Sequence, residues 1–156
     1  MATAPAQTPT TLRITRTYAA PREKVFRAWT EPQTLGKWFA PSDEYRTAVT
    51  ELDVRPGGRY NIEMRHEGKV YSVRGIFRVV RPPEKLVFTW QWENEPDRGD
   101  AGDTLVTVDL FDRAGRTELV LTHERFPSET LRDEHEKGWT GCLGRLERLL
   151  GTGGTR

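Results

Sequence analysis

A chain of 156 residues is long enough for one domain that buries about two-thirds of the surface its unfolded form exposes. Its 24 Lys and Arg and 23 Asp and Glu are interspersed and leave a formal charge of +1, with no basic stripe for phosphates and no acidic tail, so nucleic acid is not an expected partner. The single cysteine, Cys142, excludes an intramolecular disulfide and fits a reducing compartment, and no apolar run approaches the roughly 18 residues of a membrane span.

The opening MATAPAQTPTT has neither a basic n-region nor an apolar core, so residues 1–11 read as a disordered tail and not as a signal peptide. Residues 152–156 read as a second tail, which leaves residues 12–151 as one domain of an expected cytoplasmic protein. LRITRTY (12–18) alternates Leu12 and Ile14 with Arg13 and Thr15, the period of a half-buried strand. Pro21 suits a first helical turn, and Val25, Phe26, Ala28 and Trp29 recur at helical spacing until Glu31-Pro32 breaks the pattern. Pro32 opens a second short helix with Leu35, Trp38 and Phe39 on one side, and Pro41 closes it.

From Tyr45 to Arg125 the text becomes strand after strand. Pro56-Gly57-Gly58, Glu67-Gly68, Arg81-Pro82-Pro83, an acidic loop from Glu95 to Asp103, and Asp112 to Arg116 cut it into six runs, which predicts an antiparallel meander and, with residues 12–18, seven strands. Alternation puts Tyr60, Ile62 and Met64 on one face, joined by Val73, Phe77 and Val79, by Leu86, Phe88, Trp90 and Trp92, by Val106, Val108 and Leu110, and by Leu119 and Leu121. The opposite positions, Asn61, Glu63, Arg65, Arg74, Arg78, Thr107, Asp109, Glu118, Thr122 and Glu124, suit a solvated outer face.

After Pro127, either Ser128 or Thr130 can cap a last helix that runs to Leu150. At 100° per residue, Leu131, His135, Trp139, Cys142, Leu143, Leu146, Leu149 and Leu150 fall in one apolar sector, which must lie on the sheet's apolar face. One helix about 10–12 Å across cannot fill the concavity of a bent seven-stranded sheet, so large side chains fill the remainder or a cavity persists. Gly138, Gly141 and Gly144 spell GxxGxxG, but inside a helix and not at its start, so no phosphate loop is expected. Gly138 lies about 80° from the sector's centre, where it leaves room beside Trp139. Gly141 and Gly144 lie about 140–160° away, which predicts a helix–helix contact in a dimer or simple tolerance.

AAPREKVFRAWTEPQTLGKWFAP (19–41), ELDVRPGGRYNIEM (51–64), RPPEKLVFTWQW (81–92) and LVLTHERFPSETLRDEHEKGWTGCLGRLERLL (119–150) span nearly the whole chain in order. Together they resemble the SRPBCC (START-like, helix-grip) superfamily, and within it the bacterial proteins similar to the heat-shock chaperone ATPase activator (AHSA-like). The resemblance implies an α+β helix-grip fold: a seven-stranded curved antiparallel sheet round a long C-terminal helix, two short helices between the first and second strands, and a ligand cavity between helix and sheet. Members bind lipids, sterols, hormones and polyketides, and only some catalyse a reaction. The eukaryotic activator resembles this chain only over its C-terminal domain.

The expected ligand wall is therefore Trp38 and Phe39, then Tyr60, Ile62, Met64, Val73, Phe77, Trp90, Trp92, Val106, Val108, Leu121 and His123 from the sheet, and His135, Trp139, Cys142 and Leu143 from the helix. His123 shares the inward parity of Leu119 and Leu121 and could act as acid, base or anchor, although a buried histidine is more often simply hydrogen-bonded. A Cys142–His135 dyad fails on geometry, since seven helical residues rise about 10.5 Å. His66 beside Glu67-Gly68 is expected in solvent, Arg16 either points inward or snorkels, and only one of Tyr71 and Arg74 faces in. Three histidines and one cysteine match no strong metal-ligand spacing, so no metal and no cofactor are expected. The reading is a monomer or homodimer that holds a hydrophobic or amphipathic lipid-, sterol- or polyketide-like molecule. The alternatives are a cyclase or hydrolase using His123, and a chaperone-cofactor or stress-response interaction module whose partner is a heat-shock chaperone.

Overall fold

A computed structural model of the protein describes residues 10–93 and 104–150. The expected acidic loop and all but Thr10 and Thr11 of the expected N-terminal tail lie outside the described residues, as does the C-terminal tail. Thr11 already belongs to the first strand. The elements are β1 (Thr11–Tyr18), α1 (Arg22–Thr30), α2 (Pro32–Trp38), β2 (Arg46–Leu52), β3 (Arg59–His66), β4 (Lys69–Arg81), β5 (Lys85–Trp92), β6 (Thr104–Arg113), β7 (Arg116–Glu124) and α3 (Glu129–Leu150).

All neighbouring strands are antiparallel, in the order β1-β7-β6-β5-β4-β3-β2. The expected α+β architecture is therefore present: β2 to β7 form a meander, and β1 joins the far edge beside β7. The α1–α2 pair spans the sheet between those two edges. Its break is dictated by Pro32, which holds Glu31 extended, so that one residue ends α1 and precedes α2. Two hairpins close on consecutive left-handed residues, Glu67-Gly68 and Ala114-Gly115, the conformation that matches strand twist in a tight turn.

Two register shifts change what simple alternation predicts. One lies between Val49 and Glu51. The other, between Phe77 and Val79, adds a residue to β4, so that Val79 opposes the outer Val87 while Val80 opposes the inner Leu86 and packs on the core. Val79 thus leaves the inner face on which alternation had placed it, because a bulge reverses parity beyond it. Thr122, expected on the solvated face, is buried; it sits on a strand flanked on both sides, between Arg13 and Thr107.

The core is the inner sheet face closed by α3, with Val106, Val108, Leu119 and Leu121 under Leu143 and Leu146 in one buried cluster. Ser128 caps α3, its hydroxyl accepting from Leu131 N–H at 3.2 Å. Leu149, expected in the apolar sector, is exposed; it lies about 60° from Leu146, at the sector's edge. Among the described residues no helix is long and apolar enough to cross a membrane.

A second surface grips α3. A Cβ on Gly141 would stand 2.1 Å from the Pro41 carbonyl oxygen, whereas one on Gly138 or Gly144 would meet nothing within 4 Å. The segment between α2 and β2 therefore lies along the flank of α3 that a one-partner helical wheel assigns to solvent or a dimer contact. Arg145 completes the grip. Its Nε donates to Asp43 Oδ1 at 3.0 Å and its two terminal nitrogens donate to the Trp38 and Lys37 carbonyls at 3.1 and 3.2 Å, and Arg148 also pairs with Asp43 at 2.9 Å. These carbonyls end α2, where a cation is favoured, and the two guanidinium groups hold the Asp43 carboxyl below its usual range.

Candidate functional site

A cavity of about 400 Å³ opens between α3, the middle of the sheet and the segment after α2. Phe39, Pro41 and Tyr45 form one side, Met64 and Tyr71 the floor from β3 and β4, and Trp90 and Trp92 the end of β5; Glu134, His135, Lys137, Gly138, Trp139 and Cys142 come from α3. The rings brace one another: Trp90 and Trp139 stand 5.0 Å apart, and Phe39 meets Trp139 edge-on at 5.7 Å.

Of the residues expected in the ligand wall, Phe39, Met64, Trp90, Trp92, His135, Trp139 and Cys142 border this cavity. Tyr60, Ile62 and Phe77 border a void of only about 20 Å³ deeper in the core. Trp38, Val73, Val106, Val108, Leu121 and Leu143 are buried in the apolar core, His123 is buried beside them, and none of the seven borders either space. Trp38 is held inside the core: its indole N–H donates to the Ala28 carbonyl at 2.9 Å and its ring packs edge-on against Trp29 at 4.8 Å. Tyr60 has spent its hydroxyl on the Thr89 carbonyl at 2.6 Å, reaching across its partner Gly75, where a Cβ would collide with that same carbonyl.

His123 is fully buried and fixed at both nitrogens. Trp139 Nε1–H donates to Nδ1 at 3.0 Å. An indole nitrogen can only donate, so Nδ1 is the bare nitrogen and the ring's proton sits on Nε2, 2.7 Å from Thr104 Oγ1. The Thr104 hydroxyl in turn donates to the Trp90 carbonyl at 3.2 Å. Burial, and then the nearby His135, push the His123 pKa well below 6.5. This neutral, fully committed imidazole ties β6, β7 and α3 together and holds Trp139 at the cavity wall.

His135 is committed in the same manner. Trp92 Nε1–H donates to its Nε2 at 2.8 Å and its Nδ1 stands 2.8 Å from the Leu131 carbonyl, one helical turn back. Cys142 is buried, and burial pushes its thiol up to about 12, which suits a small apolar wall residue better than a nucleophile. Arg16 snorkels, donating to the Thr15 carbonyl at 3.0 Å. Of the pair Tyr71 and Arg74, Tyr71 borders the cavity while Arg74 lies on the outer face, 3.6 Å from Glu93. The histidine expected in solvent, His66, is half-buried: it pairs with Glu44 at 3.3 Å and stacks on Tyr45 at 4.7 Å, backing the cavity wall. The indole nitrogens of Trp29 and Trp90 are buried with no partner among the described residues.

Pro41, Tyr45, Glu134 and Lys137 border the cavity without having been singled out from sequence. Pro41 and Tyr45 come from an irregular segment with no periodicity to read, and the two charged residues lie outside the apolar sector of α3. Among the described residues no group of three or more His, Cys, Asp or Glu is placed to hold a metal ion.

A family model described as activator of Hsp90 ATPase homolog 1-like protein matches residues 19–151. Among solved structures, a protein from Chromobacterium violaceum is 28% identical, with a TM-score of 0.80 over 91% of this chain and 97% of its own. The AHSA1 protein from Silicibacter pomeroyi is also 28% identical, with a TM-score of 0.78 over 90% of this chain and 96% of its own. CalU16 from Micromonospora echinospora is 26% identical, with a TM-score of 0.66 over 90% and 76%. No curated protein matches the chain.

Proposed function

This chain belongs to the activator of Hsp90 ATPase homolog 1-like family, and from that premise we propose that it holds a small hydrophobic or amphipathic molecule, without transforming it, between α3 and the sheet. The observation that carries this reading is the cavity itself. At about 400 Å³ it falls in the size range of small-molecule sites, and its walls are mainly rings that keep their shape by packing on one another. The imidazoles and thiol that the sequence offered for acid–base or nucleophilic work are otherwise engaged: His123 and His135 each hold an indole N–H group, and the Cys142 thiol is buried and protonated. Binding would gain from apolar burial at about 25 cal/mol per Å², against walls that need little reordering. The free thiol suits a reducing cytoplasm as its setting.

The test is a titration followed by native mass spectrometry and by the indole N–H resonances, against fatty acids, sterols, flavonoids and polyketides. The expected result is a one-to-one complex with saturable shifts at Trp92 and Trp139. No complex and no saturable shift across all four classes would reject the reading.

A further inference from the structure

The cavity wall carries two donors that no other described residue uses. Lys137 and Tyr71 both border the cavity, and neither the ammonium nor the phenol makes a hydrogen bond or ion pair among the described residues. The other polar groups there are committed. His135 spends both nitrogens on Trp92 and Leu131, and Glu134, the one carboxylate on the wall among the described residues, already has an interaction of its own. Among the described residues the uncommitted charge at the opening is therefore positive, and it stands beside an apolar interior.

We propose that the occupant is an organic anion, an apolar ring system or chain ending in a carboxylate, with its body among Trp90, Trp92 and Trp139 and its charged end at the opening against Lys137 and the Tyr71 hydroxyl. This rests on the ligand-holding reading and adds the sign of the ligand's charge. Lys137 is exposed, so its ammonium keeps its hydration until a ligand arrives, and it can follow an anion on a flexible stem. Its opponent is the wall itself: aromatic faces attract cations, and an occupant with a cationic end would be held by the rings instead of by Lys137. The two arrangements predict opposite preferences within one ligand skeleton.

The experiment uses 1-pyrenebutyrate, its primary amide and 1-pyrenebutylamine, which share an apolar body and differ in charge, with binding followed by energy transfer from tryptophan to pyrene. The wild-type protein is expected to bind the anion about fivefold more tightly than the amide and the amine less tightly than either, the scale of a partly exposed charge pair. Lys137→Ala is expected to weaken the anion about fivefold and leave the amide within about twofold, and Lys137→Glu to favour the amine. Tyr71→Phe should weaken the anion by a smaller factor. Equal binding of all three probes, a preference for the amine, or an anion preference that survives Lys137→Ala would overturn the charge assignment and leave the cavity reading standing. Failure of all three to bind would overturn both.

Discussion

The indole N–H of Trp139 donates to His123 Nδ1 across 3.0 Å, and that single bond decides where the imidazole keeps its proton. With Nδ1 accepting and Nε2 held by Thr104, a second proton could enter only by breaking the Trp139 bond in a fully buried place.

The pH dependence of stability follows from this. The folded-state pKa of His123 lies below its ordinary value of 6.5, so the unfolded chain binds the extra proton first, and stability is lost as pH falls below about 6.5. Between pH 7.5 and pH 5.5 one such group costs on the order of 1 kcal/mol. Urea unfolding at both pH values should show wild type losing about that much more than His123→Gln. At pH 7.5 the variant itself should be less stable by about 2–4 kcal/mol, because it breaks a buried network. Equal pH dependence in the two proteins would mean that the imidazole is not held neutral.

The three helical glycines should separate cleanly. Gly138→Ala and Gly144→Ala place a Cβ in open space and should each stabilise by roughly 0.5–1 kcal/mol. Gly141→Ala drives a Cβ against the Pro41 carbonyl and should destabilise by about 1–3 kcal/mol. Thermal unfolding of the three single variants measures this, and a stabilising Gly141→Ala would refute the packing of α3 on the segment after α2.

Arg145 and Arg148 share Asp43 but do different amounts of work. Arg145 also satisfies two carbonyls at the end of α2 and is largely covered, 17% exposed against 62% for Arg148. Arg145→Ala should cost about 1–2 kcal/mol through those carbonyl bonds, and Arg148→Ala should leave the melting temperature unchanged. Similar losses in both variants would show that the exposed ion pair, and not the covering of the helix end, holds the segment.

Cys142 should resist thiol reagents. Burial and a pKa pushed up to about 12 leave almost no thiolate at pH 8, so disulfide-exchange labelling should proceed only as fast as the chain opens. Prompt stoichiometric labelling of the native protein would show a reactive thiol in the cavity wall.

Periodic segments made most of the fold legible. Leu12 and Ile14, Tyr60 to Met64 and Leu119 to Leu121 each declare a strand and its face, and Pro32 declares the break between α1 and α2. Val79 could not be read, because alternation assumes an unbroken register and the bulge after Phe77 breaks it. Gly141 could not, because a helical wheel assumes one packing partner and α3 has two. The site was less legible than the fold. Parity distinguishes inward from outward but not cavity from core, so Met64 and Trp90 at the cavity share a face with Val106, Val108 and Leu121 beneath α3. Lys137 carries no apolar signal at all; only its place at the opening distinguishes it from any exposed lysine.

The central claim is that the space beside Trp139 is a binding site, and Gly138 is the means of filling it. Gly138 borders the cavity, and a Cβ there meets nothing within 4 Å, so Gly138→Leu can project into the opening without forcing the backbone to move. The decisive measurement is a fluorescence titration of 1-pyrenebutyrate into wild type and Gly138→Leu, with far-ultraviolet circular dichroism showing both folded. The account predicts saturable one-to-one binding to wild type and a loss of at least about tenfold in Gly138→Leu, the scale of one well-placed apolar obstruction. Undiminished binding to the variant, or none to the wild type, would contradict it.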